Sequence, residues 1–255
     1  MTGGAKLGPP IYEATDITKA FGGLVAVDSV SVDVPQGSIV AIIGPNGAGK
    51  TTFFNLITGY YAPDAGRVVF AGRDITGMPP HRTARLGLVR SFQKTHVFPQ
   101  MSVGENVQAM VLFRRGRTLD FFSRARSLEQ EATQRILDMV GLTRSALSRA
   151  GALSAGDRKR LELGIALAAQ PTLLLLDEPT CGMSPAETAS TIELIQRLGR
   201  EQRLTLLFTE HKMDVVFRVA ERIGVLHFGR LIAEGTPEEI RANREVQRVY
   251  LGETE

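Results

Sequence analysis

The octapeptide Gly44-Pro45-Asn46-Gly47-Ala48-Gly49-Lys50-Thr51 gathers three glycines, one cation and one hydroxyl into a single short stretch. Its spacing, G-x-x-x-x-G-K-[ST], is that of a phosphate cradle. Glycines let successive backbone N–H groups turn toward one anion, and a helix beginning at the loop adds partial positive charge. Lys50 can then reach β- and γ-phosphates, and the Thr51 hydroxyl can hold Mg²⁺. The motif requires a strand before it and a helix after it. Ile39 to Ile43 is an unbroken apolar run suited to a buried strand, and Thr52-Phe53-Phe54-Asn55-Leu56-Ile57 can open a helix, with Thr52 beside the phosphates. The chain is expected to bind a nucleoside triphosphate.

A second set of groups carries the chemistry of phosphoryl transfer. Leu173-Leu174-Leu175-Leu176 runs into Asp177 and Glu178, a buried strand ending in two carboxylates. In a phosphate-loop core such a strand delivers its first acid toward Mg²⁺ and its second toward water attacking the γ-phosphate. Asp177 is therefore the expected metal-side carboxylate and Glu178 the expected general base. Leu153-Ser154-Ala155-Gly156-Asp157 puts a serine and a glycine at a helix start. Taken alone this is an N-cap; free N–H groups and a hydroxyl there also make a second anion-binding nose. One nucleotide needs one cradle. A second makes sense if it closes on the nucleotide of a partner subunit.

The elements that must position these groups follow from periodicity. Tyr12 to Ile17 and Leu24 to Val34 alternate apolar with polar residues, as half-exposed antiparallel strands do, and Arg67 to Ala71 reads as another strand. Helical periodicity governs Val103–Phe113 and Leu128–Val140, with few strand signals between Thr95 and Ala169. Strand and helix then alternate: Leu173–Leu176, Pro185–Arg200, Leu204–Phe208, Met213–Val219 and Ile223–Phe228, with a helical tail over Glu238–Tyr250. The expected fold is α/β, a mostly parallel core with an antiparallel β subdomain and a helical insertion. It forms a single domain over about 11–251: the antiparallel layer at about 11–35 and 66–75, the core at about 36–94 and 170–235, the helical subdomain at about 95–169 and the tail at about 236–251.

Bulk properties narrow the class. At 255 residues, 43% hydrophobic and 22% charged, the chain suits a soluble globular protein with a sizeable core. One cysteine, Cys181, rules out an internal disulfide and fits a reducing compartment. Residues 1–10 contain no apolar run of a secretory signal, and no apolar stretch is long enough to span a bilayer. A net charge of +3 mildly favours an anionic partner, which a nucleotide or lipid headgroups satisfy as well as nucleic acid does.

Over nearly its whole length the sequence resembles the ATP-binding subunits of ABC transporters. Six landmarks stand in order: Phe21 in Lys19-Ala20-Phe21-Gly22-Gly23, the phosphate loop, a glutamine loop Arg90-Ser91-Phe92-Gln93, the signature Leu153 to Asp157, the acidic strand to Glu178, and a switch histidine in Thr209-Glu210-His211. The resemblance implies a phosphate-loop NTPase of the RecA-like kind, with ATP and Mg²⁺ as its cofactors. It implies that Phe21 stacks on adenine, that Gln93 contacts Mg²⁺ and the attacking water, and that His211 bonds the γ-phosphate and steadies Glu178. Ser154 and Gly156 would grip the γ-phosphate held by the opposite subunit. Three positions depart from the family's wording: Ala155 and Asp157 within the signature, and Ser184 where an aspartate is common. Asp157 is expected to point along its helix toward Arg160 or into solvent.

Finer wording is similar to the ATPases of importers for branched-chain amino acids and related amides or urea. It lies in Phe21 to Val27, Phe54 to Gly59, Arg90 to Gln93, and the tail Gly235 to Arg241 through Tyr250-Leu251-Gly252; the tail and glutamine-loop wording is shared with lipopolysaccharide-export ATPases. This branch implies a second ATPase subunit, identical or merely similar, transmembrane permeases, an external substrate-binding protein acting indirectly, no nucleic acid, and a peripheral place on the cytoplasmic face of the inner membrane. Arginines 114, 115, 117, 124 and 126, interleaved with Phe113, Phe121 and Phe122, read as a solvated helical face, a permease or inner-leaflet contact, or a nucleic-acid surface. Two rivals differ in kind. A soluble ABC ATPase of translation or DNA repair usually carries two ATPase halves or a long coiled coil, and this sequence has neither. A phosphate-loop kinase would need neither Ser154-Ala155-Gly156 nor His211.

Overall fold

The computed structural model describes residues 9–91, 97–114 and 129–251. Strands β1 (Pro10–Phe21) and β2 (Leu24–Pro35) form an antiparallel hairpin, turned at Gly22-Gly23. With β4 (Ala65–Phe70) and β5 (Arg73–Asp74) they make a four-stranded sheet in the order β2-β1-β4-β5. The second sheet has six strands. Its parallel members are β3 (Ile39–Ile43), β6 (Leu88–Ser91), β7 (Leu173–Asp177), β8 (Thr205–Thr209) and β9 (Arg222–His227), and β10 (Arg230–Gly235) closes one edge antiparallel to β9. The order is β10-β9-β3-β8-β7-β6.

Residue alternation decides which core each side chain enters. On β3, Ile39, Ala41 and Ile43 face the helical side, while Val40 and Ile42 face the hairpin sheet; on β7, Leu174 and Leu176 part from Leu173 and Leu175 in the same way. Both strands are buried on both faces, which is why they read as continuous apolar runs rather than as alternation. Helix α1 (Lys50–Ile57) fills the space between the two sheets, burying Phe53 and Phe54. After the short α2 (Pro80–Arg85), helices α3 (Val103–Arg114), α4 (Gln130–Val140) and α5 (Ala155–Ala168) pack on one another as a helical unit. Helices α6 (Pro185–Arg200) and α7 (Met213–Val219) return the chain to the large sheet. The tail holds two helices, α8 (Pro237–Ala242) and α9 (Arg244–Leu251). They part at Asn243, whose backbone is extended and whose side-chain oxygen accepts from the N–H groups of Glu245 and Val246. An asparagine so placed starts a new helix rather than continuing the old one.

The register of the parallel strands matters most for function. Ile42 of β3 pairs with Thr209 of β8, and Thr209 pairs in turn with Asp177 of β7, so these strands end together. The loops that leave them share one edge of the sheet, the place where parallel α/β folds bind ligands.

Candidate functional site

The phosphate loop connects β3 to α1. Helix α1 begins at Gly49 in the left-handed region (φ 98°), and among the described residues no side chain caps it. Its first N–H groups are therefore open to an outside acceptor, the arrangement that binds phosphate. Gly49 has a second reason to be glycine: a Cβ there would lie 2.5 Å from the Ala26 carbonyl oxygen. Lys50 is buried, and its ammonium donates to the carbonyls of Gly44 at 2.6 Å and Pro45 at 3.0 Å. Burial pulls its pKa below the ordinary lysine value, and the nearby carboxylates of Glu178 and Asp177 push the other way. The loop thus curls around a cation whose present partners are neutral carbonyls. Ala48 is buried within that curl, and Asn46, Gly47 (φ 81°) and Thr51 are exposed at its mouth. Thr52, half-buried, follows one turn-position further in.

Asp177 ends β7 buried, with both oxygens engaged. Oδ1 accepts from the Thr209 hydroxyl at 2.8 Å and Oδ2 from Arg90 Nη2 at 2.7 Å. Arg90, at the end of β6, uses Nη1 to reach Asn55 Oδ1 on α1, also at 2.7 Å. One guanidinium therefore fastens the phosphate-loop helix to the acidic strand. Sequence reading gave Arg90 no role; the available signal was a charged residue inside a strand adjoining a buried carboxylate strand, where an arginine needs a partner. The pair is nearly inaccessible, with side chains 7% and 4% exposed. Arg90→Ala should lower the unfolding free energy by about 3–5 kcal/mol in urea titration, because it strands a buried charge. Combining it with Asp177→Asn should cost less than the two changes summed.

Glu178 follows with a left-handed backbone (φ 47°), a conformation that costs a non-glycine residue about 1–3 kcal/mol and clusters at functional sites. Its N–H donates to the Thr209 carbonyl at 3.1 Å, which holds the turn. Its carboxylate Oε1 lies 2.7 Å from His211 Nε2. His211 leaves β8 by way of Glu210, a buried carboxylate also missed in the sequence. Glu210 accepts from Thr180 N at 2.9 Å and the Thr180 hydroxyl on one oxygen, and from His211 N at 3.0 Å on the other. It ties the loop after β7 to the loop after β8, so that Glu178 and His211 stay in register.

Phe21 is 44% exposed at the hairpin turn, its ring edge-on to Tyr61 with centroids 5.4 Å apart, so it is a surface platform and not part of the core. Ser154 and Gly156 do not join the groups around Lys50. Ser154 is the exposed N-cap of α5, its hydroxyl accepting from Asp157 N at 3.1 Å. The Gly156 N–H donates to Glu187 Oε1 at 3.1 Å. Asp157 is half-buried; Arg160 turns from it to donate to the Val140 carbonyl and the Ser190 hydroxyl. Ser184, the departure after the acidic strand, is the N-cap of α6 and forms a capping box with Glu187. Gln93 and most of the arginine cluster (115–126) lie outside the described residues. Of the residues expected to hold Mg²⁺, Thr51 and Asp177 are described, and no group of three or more His, Cys, Asp or Glu able to hold a metal occurs among the described residues. Few, hard oxygen donors suit Mg²⁺, which keeps most of its own waters.

A strand, phosphate loop and helix, with an acid-tipped parallel strand one place removed in the same sheet, define a phosphate-loop nucleoside triphosphatase. Comparison with known proteins places it more narrowly. Residues 27–181 match the family described as "ABC transporter", and residues 230–255 match the one described as "Branched-chain amino acid ATP-binding cassette transporter". The chain belongs to the ABC transporter family and is an ATP-binding subunit, an ATPase. It is 40% identical over 253 residues to the high-affinity branched-chain amino acid transport ATP-binding protein BraF of Pseudomonas aeruginosa, covering 96% of this chain and 98% of that one. It is 39% identical over 251 residues to the corresponding LivG protein of Escherichia coli K12, with the same coverage. An ATP-binding cassette of an ABC transporter, solved in its ADP conformation, superposes with a TM-score of 0.83 at 33% identity, covering 96% of this chain and all of the other.

Proposed function

We propose that this chain is the motor subunit of an importer for branched-chain amino acids or related small amides, working on the cytoplasmic face of the inner membrane. The match of residues 230–255 to the branched-chain amino-acid cassette family carries the cargo reading, and the names of the relatives support it. Among the described residues no helix is long and apolar enough to cross a membrane, so the transmembrane path is assigned to separate permease subunits.

In this reading Phe21 stacks on adenine while Gly44 to Thr52 wrap the phosphates and Lys50 turns from its carbonyl partners to the β- and γ-phosphates. Thr51, Gln93 and Asp177 would hold Mg²⁺, which when bound neutralises phosphate charge. Glu178 takes the proton of a water whose oxygen bonds to the γ-phosphorus as the bond to the β-phosphate bridging oxygen breaks; ADP and phosphate leave. His211, held 2.7 Å from Glu178, keeps that carboxylate aimed and contacts the γ-phosphate. Ser154 and Gly156 address the nucleotide of a second cassette. Two cassettes close only while the γ-phosphate lies between them, and the difference in affinity between closed and open pairs drives the permeases.

The test is capture of the full chain from membranes of its native source. Membrane-spanning permeases should co-purify, and vesicles holding the complex and its external receptor should accumulate leucine, isoleucine or valine only with ATP. A chain that captures no membrane protein and whose ATPase is stimulated by nucleic acid would contradict the proposal.

A further inference from the structure

Glu187 does more than cap a helix. Its Oε2 accepts from the Ser184 N–H at 3.0 Å, which with the donation of the Glu187 N–H to the Ser184 hydroxyl at 3.4 Å makes the α6 capping box, and it also accepts from that hydroxyl at 2.8 Å. A capping box needs nothing further. Yet its other oxygen, Oε1, reaches across to α5 and accepts from the Gly156 N–H. The approach is so close that a Cβ on Gly156 would lie 2.4 Å from Oε1 and 2.8 Å from the carboxyl carbon. The Glu187 carboxylate is thus seated directly on Gly156, and any side chain there would have to push it aside. That seat is an N–H near the start of a helix, a position that binds anions, and a carboxylate oxygen is chemically the stand-in for a phosphate oxygen.

We propose that Glu187 is a positioning residue that occupies the Gly156 N–H until a γ-phosphate of the partner cassette's nucleotide displaces it. The inference rests on the reading that Ser154 and Gly156 face that nucleotide. The displacement has a built-in consequence. Glu187 is shared between the start of α5 and Ser184, and Ser184 ends the loop that begins at Glu178. A phosphate arriving at Gly156 therefore releases one oxygen of the carboxylate that fixes the far end of the catalytic loop in the same subunit. In the family's wording Ser184 replaces an aspartate; here the acid three residues later supplies the link. Ser184 and Gly156 hydrogen bonds and the nearby Arg160 charge hold the Glu187 carboxyl below the usual carboxylate range, so it is ionised and competent as an anion competitor at neutral pH.

The test measures ATP-driven pairing in full-length Glu178→Gln protein with its natural second cassette. Adding Glu187→Ala removes the competitor and should lower the ATP concentration for half-maximal pairing by about fivefold, the weight of one net hydrogen bond. Glu187→Gln, whose single carbonyl oxygen can keep the capping box but then turns a donating NH2 toward the Gly156 N–H, should lower it likewise. The backbone amide resonance of Gly156 should shift on pairing and should already be shifted in unpaired Glu187→Ala. Half-points that are unchanged or raised in both variants, with ATP-driven pairing intact, overturn this inference alone. Absence of ATP-driven pairing in the Glu178→Gln parent would overturn the motor reading and this inference together.

Discussion

Glu178→Gln is expected to reduce ATP turnover by about 10²–10⁴-fold, the usual weight of a general base, while ATP binding and ATP-driven pairing persist. The substitution keeps the size of the side chain and its contact with His211, so it removes basicity and little else. The left-handed backbone at this position survives too, since it is fixed by the donation of the residue 178 N–H to Thr209. Phosphate release from ADP–ATP mixtures and sedimentation with ATP separate the two outcomes. Turnover within a factor of a few of the unaltered protein would remove Glu178 from the role of base.

Lys50→Ala should fail one step earlier, at binding. Lys50 is buried among loop carbonyls and two carboxylates, and it is the one cationic residue of the phosphate loop itself. Truncating one partner of a buried, hydrogen-bonded charge pair costs about 2–5 kcal/mol, which is roughly 30- to 5,000-fold in Kd. Calorimetric titration with ATP should show this loss, whereas Glu178→Gln should titrate like the parent. Removing Lys50 frees only two carbonyl acceptors, so the fold should hold.

What could be read in the sequence was what local pattern encodes. Helices Pro185–Arg200 and Met213–Val219 have in the structure the limits that periodicity and flanking residues imply; for the first, a capping box and a proline at the first turn mark the start by themselves. The buried strands β3 and β7 announced themselves as short apolar runs beside turn signals, and the family and the α/β phosphate-loop fold followed from ordered motifs. What escaped notice depends on pairing across the sheet. Arg90 and Asp177 stand 87 positions apart and meet only because β6 and β7 lie side by side. Thr180 and Glu210 meet for the same kind of reason, across β7 and β8. The edge strand β10, half-exposed and only six residues long, has too weak an alternation to be told from a loop. Ser184 looked like a gap in the pattern; its hydroxyl and Glu187 show a different solution, built from a helix cap. The break of the tail at Asn243 turned on one side chain's choice to cap rather than continue.

The account stands on a γ-phosphate held from two sides, by Lys50 of one cassette and Ser154 of another. The structure of the Glu178→Gln protein trapped with ATP measures this directly. The Ser154 hydroxyl should lie within hydrogen-bond distance of the γ-phosphate bound by the facing cassette, with the Gly156 N–H turned from Glu187 to the same oxygen atoms. A trapped complex in which Ser154 still caps its own helix, away from any nucleotide, would contradict it.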